Sequence, residues 1–194
     1  VLGDSRSLPQ FSEVKPNKFD LGTFAYNAAR SIAINGLHVD NGLDSTGNPT
    51  IPGYSPAASA IFAYVTATKC RTYGIHTRGG THIIFGAKVA NTWGGIHMVN
   101  SPMSDDNNRQ LVTESLIRLV TANSPDTPAQ EASSNLASIP RRGVHTDGGI
   151  NSVSAKFEGF NAPDACFSPR GYEYVSTVNK WVNVDCQGQN FVFM

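Results

Sequence analysis

The sequence predicts a single α+β domain over residues 1–194, on three observations. Two segments carry apolar residues at helical spacing. Several short β-branched and aromatic runs are bounded by glycine-containing turns. No internal repeat or low-complexity tract interrupts a chain of 194 residues and 20.8 kDa, a length suited to one core.

The first helix is expected over Asp20–Ile34. There Leu21, Phe24, Ala25, Ala28 and Ile32 recur behind an acidic cap and before Asn35-Gly36. Val39–Pro56, rich in Gly, Asn, Asp, Pro and Thr, reads as a long surface connection. Ala60–Thr68, Thr81–Ala90 and Ile96–Val99 read as strands, with Phe62, Tyr64, Trp93 and Trp181 as expected core residues. A second helix is expected over Asp105–Ala122, where Leu111, Val112, Leu116, Leu119 and Val120 follow Ser104 and an acidic first turn. After the polar loop Ser124–Pro128, Val153–Phe160, Tyr172–Val184 and Asn190–Phe193 supply more strand.

Composition excludes several function classes. Fifteen basic and fifteen acidic residues give zero formal net charge, and the charged fraction is 15%. No basic field exists to hold a nucleic-acid backbone or an anionic membrane. The longest apolar stretches fall short of a membrane span. Few charges, abundant Gly, Pro, Ser and Thr, and a start at Val1 suggest a mature secreted chain. Of three cysteines, Cys166 and Cys186 are close enough in sequence to staple the C-terminal segment, leaving Cys70 as a buried thiol.

Familiar catalytic motifs are absent. The sequence holds no G-x-S-x-G, P-loop or G-x-G-x-x-G, and the glycine pairs 79-80, 94-95 and 148-149 read as turns. Cys70, His76 and His82 are spaced for neither a helix face nor a metal knuckle, so no metal site is expected. A dispersed pattern remains: Gly3-Asp4-Ser5-Arg6-Ser7 at the start, Tyr64-Val65-Thr66-Ala67-Thr68 in the middle, and Gln130-Glu131-Ala132-Ser133 followed by Leu136 and Ile139-Pro140.

These pieces, in this order over residues 1 to about 145, resemble the ADP-ribosyltransferase toxins of the cholera and heat-labile enterotoxin A-chain type, including secreted fungal relatives. The resemblance implies two roughly perpendicular, mostly antiparallel sheets with peripheral helices, residues 146–194 adding strands to the same domain. It implies NAD as substrate if the chain is active, and no other cofactor. Glu131 matches the catalytic carboxylate that stabilises an oxocarbenium-like ribose. Thr66 matches the serine that orients it. Gly3, Asp4, Arg6 and Thr68 fall where the family binds the dinucleotide. Leu2 replaces the phosphate-gripping arginine and Ala129 the second glutamate, so the resemblance implies a degenerate site.

The expected function is then a secreted, effector-like pseudoenzyme that binds a host or competitor protein. Nucleic acid and a membrane span are not expected, and the oligomeric state is left open. Two alternatives stand beside it. One is an active mono-ADP-ribosyltransferase or NAD glycohydrolase using Glu131; the other is an unrelated secreted α+β binding protein.

Overall fold

In a computed structural model, the residues described are 18–40, 54, 56–99, 109–118, 142–160, 166–170, 177–186 and 189–193. Every element among them is a strand. The order is β1 Phe24–Ala25, β2 Ala28–Arg30, β3 Leu37–Val39, β4 Ala60–Ala63, β5 Thr66–Thr68, β6 Tyr73–Arg78, β7 His82–Phe85 and β8 Lys88–Ala90. There follow β9 Gly94–Val99, β10 Arg109–Arg118, β11 Val144–Asp147, β12 Gly149–Glu158, β13 Phe167–Arg170, β14 Thr177–Cys186 and β15 Gln189–Phe193.

The strands form a ten-stranded and a five-stranded sheet, and all pairs are parallel except β14 with β15. Successive turns of the chain stack in register as rungs. The first side of each rung holds β1, β4, β7 and the start of β10; the second holds β2, β5, β8 and the end of β10. The other sheet stacks β3, β6, β9, β11 and β13. The result is a curled parallel sheet wound around an interior, an architecture in which each rung contacts mainly its neighbours.

This overturns the α+β, mostly antiparallel ADP-ribosyltransferase-like fold expected above. The segment expected as the first helix carries β1 and β2, and the segment expected as the second carries β10. The physical reason is a corner. Tyr26, Tyr64, Gly86 and Glu114 all take positive φ, between 50° and 62°, where the first side bends into the second. The corner sets inward residues three apart, and the next strand sets them two apart. Phe62, Val65 and Ala67 point inward, as do Ile84, Ala87 and Val89, and Val112, Ser115 and Ile117. A three-residue step followed by a two-residue step imitates the start of a helical stripe. A second corner, at Ser31, Lys69 and Asn91, repeats the left-handed backbone with φ of 56–57°.

Three inward columns meet in the core. Phe62, Ile84, Val112 and Val153 come from the first side, Ala67, Val89, Ile117 and Phe157 from the second, and Ile75, Ile96 and Val144 from the smaller sheet. Thr77 donates to the Oε1 of Gln110 at 2.6 Å inside this core, and the Gln110 amide donates to the Val99 carbonyl at 3.1 Å. Their burial is therefore compensated.

Phe62 and Trp93 are core residues as expected, whereas Tyr64 is 42% exposed and stacks on Tyr26 with ring centroids 4.8 Å apart. The strands expected within Ala60–Thr68, Thr81–Ala90 and Ile96–Val99 are present. Cys166 and Cys186 form a disulfide, and Cys70 is a buried free thiol. Among the described residues no helix is long and apolar enough to cross a membrane.

Candidate metal centre

A motif that the sequence reading passed over positions the site. Gly-x-His occurs five times: Gly80-Thr81-His82 leads into β7 of the larger sheet, and Gly36-Leu37-His38, Gly74-Ile75-His76, Gly95-Ile96-His97 and Gly143-Val144-His145 lead into the smaller one. The register places the four histidines of the smaller sheet in one column across adjacent strands, His38 beside His76, His76 beside His97, and His97 beside His145. The next residue but one from each histidine shares its face, because side chains alternate along a strand. That position holds Asp40, Arg78, Val99 and Asp147.

The glycines make this column possible by bringing the rungs close. A Cβ on Gly95 would lie 2.2 Å from the carbonyl oxygen of Gly143 and 2.5 Å from the Ile117 side chain. One on Gly74 would lie 2.3 Å from the Val89 side chain. Each glycine turns the chain from the second side into the smaller sheet, and the histidine two residues on then faces outward, opposite the core.

Two donor sets result. In the inner one, His97 Nε2 lies 2.9 Å from Asp147 Oδ2 and His145 Nε2 lies 3.3 Å from Asp147 Oδ1. In the outer one, His38 Nε2 and His76 Nε2 lie 3.1 and 3.5 Å from Asp40 Oδ2. Each set's ligand atoms all fall within 4.8 Å of one another. Arg78 Nε is 3.2 Å from the other oxygen of Asp40. The sets touch through His76 and His97, whose Nδ1 atoms are 3.1 Å apart. Tyr73 lies over the column, its ring centroid 4.5 Å from that of His97 and its hydroxyl 3.3 Å from His145 Nδ1.

The environment sets the protonation of His97 and Asp147. Burial, with the neighbouring imidazoles, pushes His97 down to about 4, although Asp147 pulls the other way. Burial also acts to raise the Asp147 carboxyl, but the His145 and His97 imidazoles set against its two oxygens outweigh it and hold the group well below the usual carboxylate range. At neutral pH the pair is a neutral imidazole facing a carboxylate, the protonation state in which both groups ligate a cation. His76 Nε2, His145 Nε2 and Asp147 Oδ1 are buried, and none makes an aligned hydrogen bond.

The residues expected from the family resemblance are distributed differently. Thr66 and Thr68 sit on β5 in the larger sheet, where with Lys88, Ala90, Leu116 and Arg118 they line a shallow open depression. They are not part of the histidine column. Leu2, Gly3, Asp4, Arg6, Ala129 and Glu131 lie outside the described residues, as do the loop Ser124–Pro128 and most of the Val39–Pro56 connection. The functional expectations built on NAD thus lack the scaffold that motivated them. The chain matches none of the family models, curated proteins or solved structures with which it was compared.

Proposed function

We propose that this protein binds a zinc-class divalent cation through His97, His145 and Asp147 on the outer face of its smaller sheet. The observation that carries the reading is the pair His145 Nε2 and Asp147 Oδ1. They lie 3.3 Å apart, buried, with no aligned hydrogen bond to either. Two buried polar atoms this close that are not aligned for a hydrogen bond call for an explanation, and an ion held between them is one.

The metrics agree with this reading. Donors about 2.1 Å from a tetrahedral ion are separated by about 3.4 Å, close to the 2.9 and 3.3 Å contacts to Asp147. Two imidazoles and a carboxylate suit zinc, cobalt(II) and iron(II) better than magnesium or calcium, which prefer oxygen. The imidazole Nδ1 atoms away from Asp147 are held by Tyr73 and His76, the outer-shell support such ligands need. Three protein ligands leave a position for water, whose acidity a zinc ion would raise.

The proposal includes an oxidising, extracellular setting, in which the Cys166–Cys186 bridge persists. Its test is titration of chelator-treated protein with cobalt(II), followed by displacement with zinc. Visible d–d bands that saturate, and that shift and weaken in affinity in His97→Ala, are expected. Absence of binding, or an unchanged spectrum and affinity in His97→Ala, overturns the reading.

A further inference from the structure

The two donor sets are joined by a contact that restricts how they fill. A neutral imidazole carries one N–H, so of its two nitrogens one donates and the other is bare. At the 3.1 Å contact between His76 Nδ1 and His97 Nδ1, one ring donates and the other accepts. The ring donating from Nδ1 has a bare Nε2, free to ligate a cation. The ring accepting at Nδ1 carries its proton on Nε2 and cannot.

His97 Nε2 belongs to the inner set and His76 Nε2 to the outer one. A cation on His97 Nε2 therefore places a proton on His97 Nδ1, which is donated to His76. That in turn places the His76 proton on Nε2, 3.5 Å from Asp40 Oδ2, and removes the ring from the outer set's ligands. A cation on the outer set drives the same proton the other way, and His97 Nε2–H then donates to Asp147. We infer that the column is a single-occupancy device in which one proton shared by His76 and His97 makes the two His-His-Asp sets mutually exclusive. This inference rests on the metal-binding reading above.

The two sets are not equivalent. Arg78 already contacts Asp40, with its Nε 3.2 Å from Oδ1, and its charge opposes a cation there. In the inner set His145 and Asp147 are buried, whereas His38 of the outer set is exposed. In the unaltered protein the cation therefore settles on the inner set, with the outer one in reserve.

The test is zinc stoichiometry, measured by calorimetry and by metal analysis after gel filtration. The proteins are the unaltered chain, Asp40→Asn, Asp147→Asn and the double variant. One zinc per chain is expected for the unaltered protein and for each single variant, and none for the double variant. Two zinc ions in the unaltered protein overturn mutual exclusion. One in the unaltered protein but none in Asp147→Asn shows that the outer set is not a site, and overturns it equally. None in the unaltered protein removes the metal-binding reading itself. A second measurement needs no variant: long-range ¹⁵N–¹H spectra of the zinc-loaded, unaltered protein are expected to show His76 protonated at Nε2. A His76 with bare Nε2 in that state overturns the relay.

Discussion

His97 Nε2 lies 2.9 Å from Asp147 Oδ2 although fifty positions separate the two residues in sequence. Parallel stacking of β9 on β11 sets His97 beside His145, and strand alternation puts Asp147 on the same face. Nothing local joins these groups, so their contact is a property of the register. A one-residue slip would send all of them to the interior.

The support given by Tyr73 can be measured separately from the ligands. With a cation on His145 Nε2 the ring's proton lies on Nδ1, and the Tyr73 hydroxyl, 3.3 Å away, is placed to accept its hydrogen bond. Tyr73→Phe removes that acceptor while keeping the ring over Gly94 and His97. Cobalt or zinc affinity is expected to fall roughly 10-fold to 100-fold, with the unfolding midpoint little changed. An unaltered affinity would show that Tyr73 contributes packing only.

Gly95 is expected to be intolerant of even one methyl group. Its Cβ would meet the backbone of Gly143, the strand-leading residue of the next rung, and neither backbone can move without shifting His97 or His145. Gly95→Ala should cost about 1–3 kcal/mol by overpacking. For a chain of this size that is a fall of roughly 2–4 °C in Tm per kcal/mol. Thermal unfolding decides it, and a variant as stable as the parent would mean that the rungs at Gly95 and Gly143 part without cost.

The strands were legible because β-branched runs between turn residues survive any arrangement of sheets. Ala60–Ala63, His82–Phe85 and Gly94–Val99 all lie within or across segments read that way. Their parallel stacking was not legible, since pairing partners lie far apart and the connections vary in length. The same irregularity hid the Gly-x-His repeat: Gly36, Gly74, Gly95 and Gly143 follow no fixed period, so no self-similarity at constant spacing marks them. The two expected helices failed for a different reason. Left-handed corners at Tyr26 and Glu114 break each strand into a three-then-two pattern whose first step is helical in spacing. The histidine column leaves no mark in the sequence either, because the spacing of Cys70, His76 and His82 fits neither a helix face nor a metal knuckle. In the fold His82 faces the core, while His76 joins a column on the opposite face of the other sheet.

His82 should make the fold acid-sensitive. It is fully buried, with Nε2 donating to the Tyr54 carbonyl at 3.2 Å, and burial pushes it down to about 4 despite that bond. Above pH 6.5 the ring is neutral both folded and unfolded, so it adds no pH dependence. As pH falls from 6.5 toward 4, the unfolded chain takes up a proton that the folded chain refuses. Stability is therefore lost at about 1.4 kcal/mol per pH unit from this residue. Urea unfolding at pH 7 and pH 4.5 should show the loss, and His82→Gln, which keeps an N–H donor but does not titrate, should reduce it. An equal loss in the variant would assign the acid sensitivity elsewhere.

The disulfide links the C-terminal rungs to the candidate metal centre. Cys166 stands immediately before β13, the strand paired with β11, and its carbonyl oxygen lies against Gly143, two residues before His145. Cys186 closes β14, which pairs with β12. The bridge spans a sequence separation of 20, and loop-closure entropy for a loop of that size is worth about 3 kcal/mol. Reduction, or replacement of both cysteines by serine, is expected to lower unfolding free energy by about that amount. Hydrogen exchange should rise first in β13 and β14, then in β11, because each rung is held chiefly by its neighbours. Protection lost uniformly across all strands would mean that the rungs unfold as one unit and that the bridge does not act locally on the strand carrying His145 and Asp147.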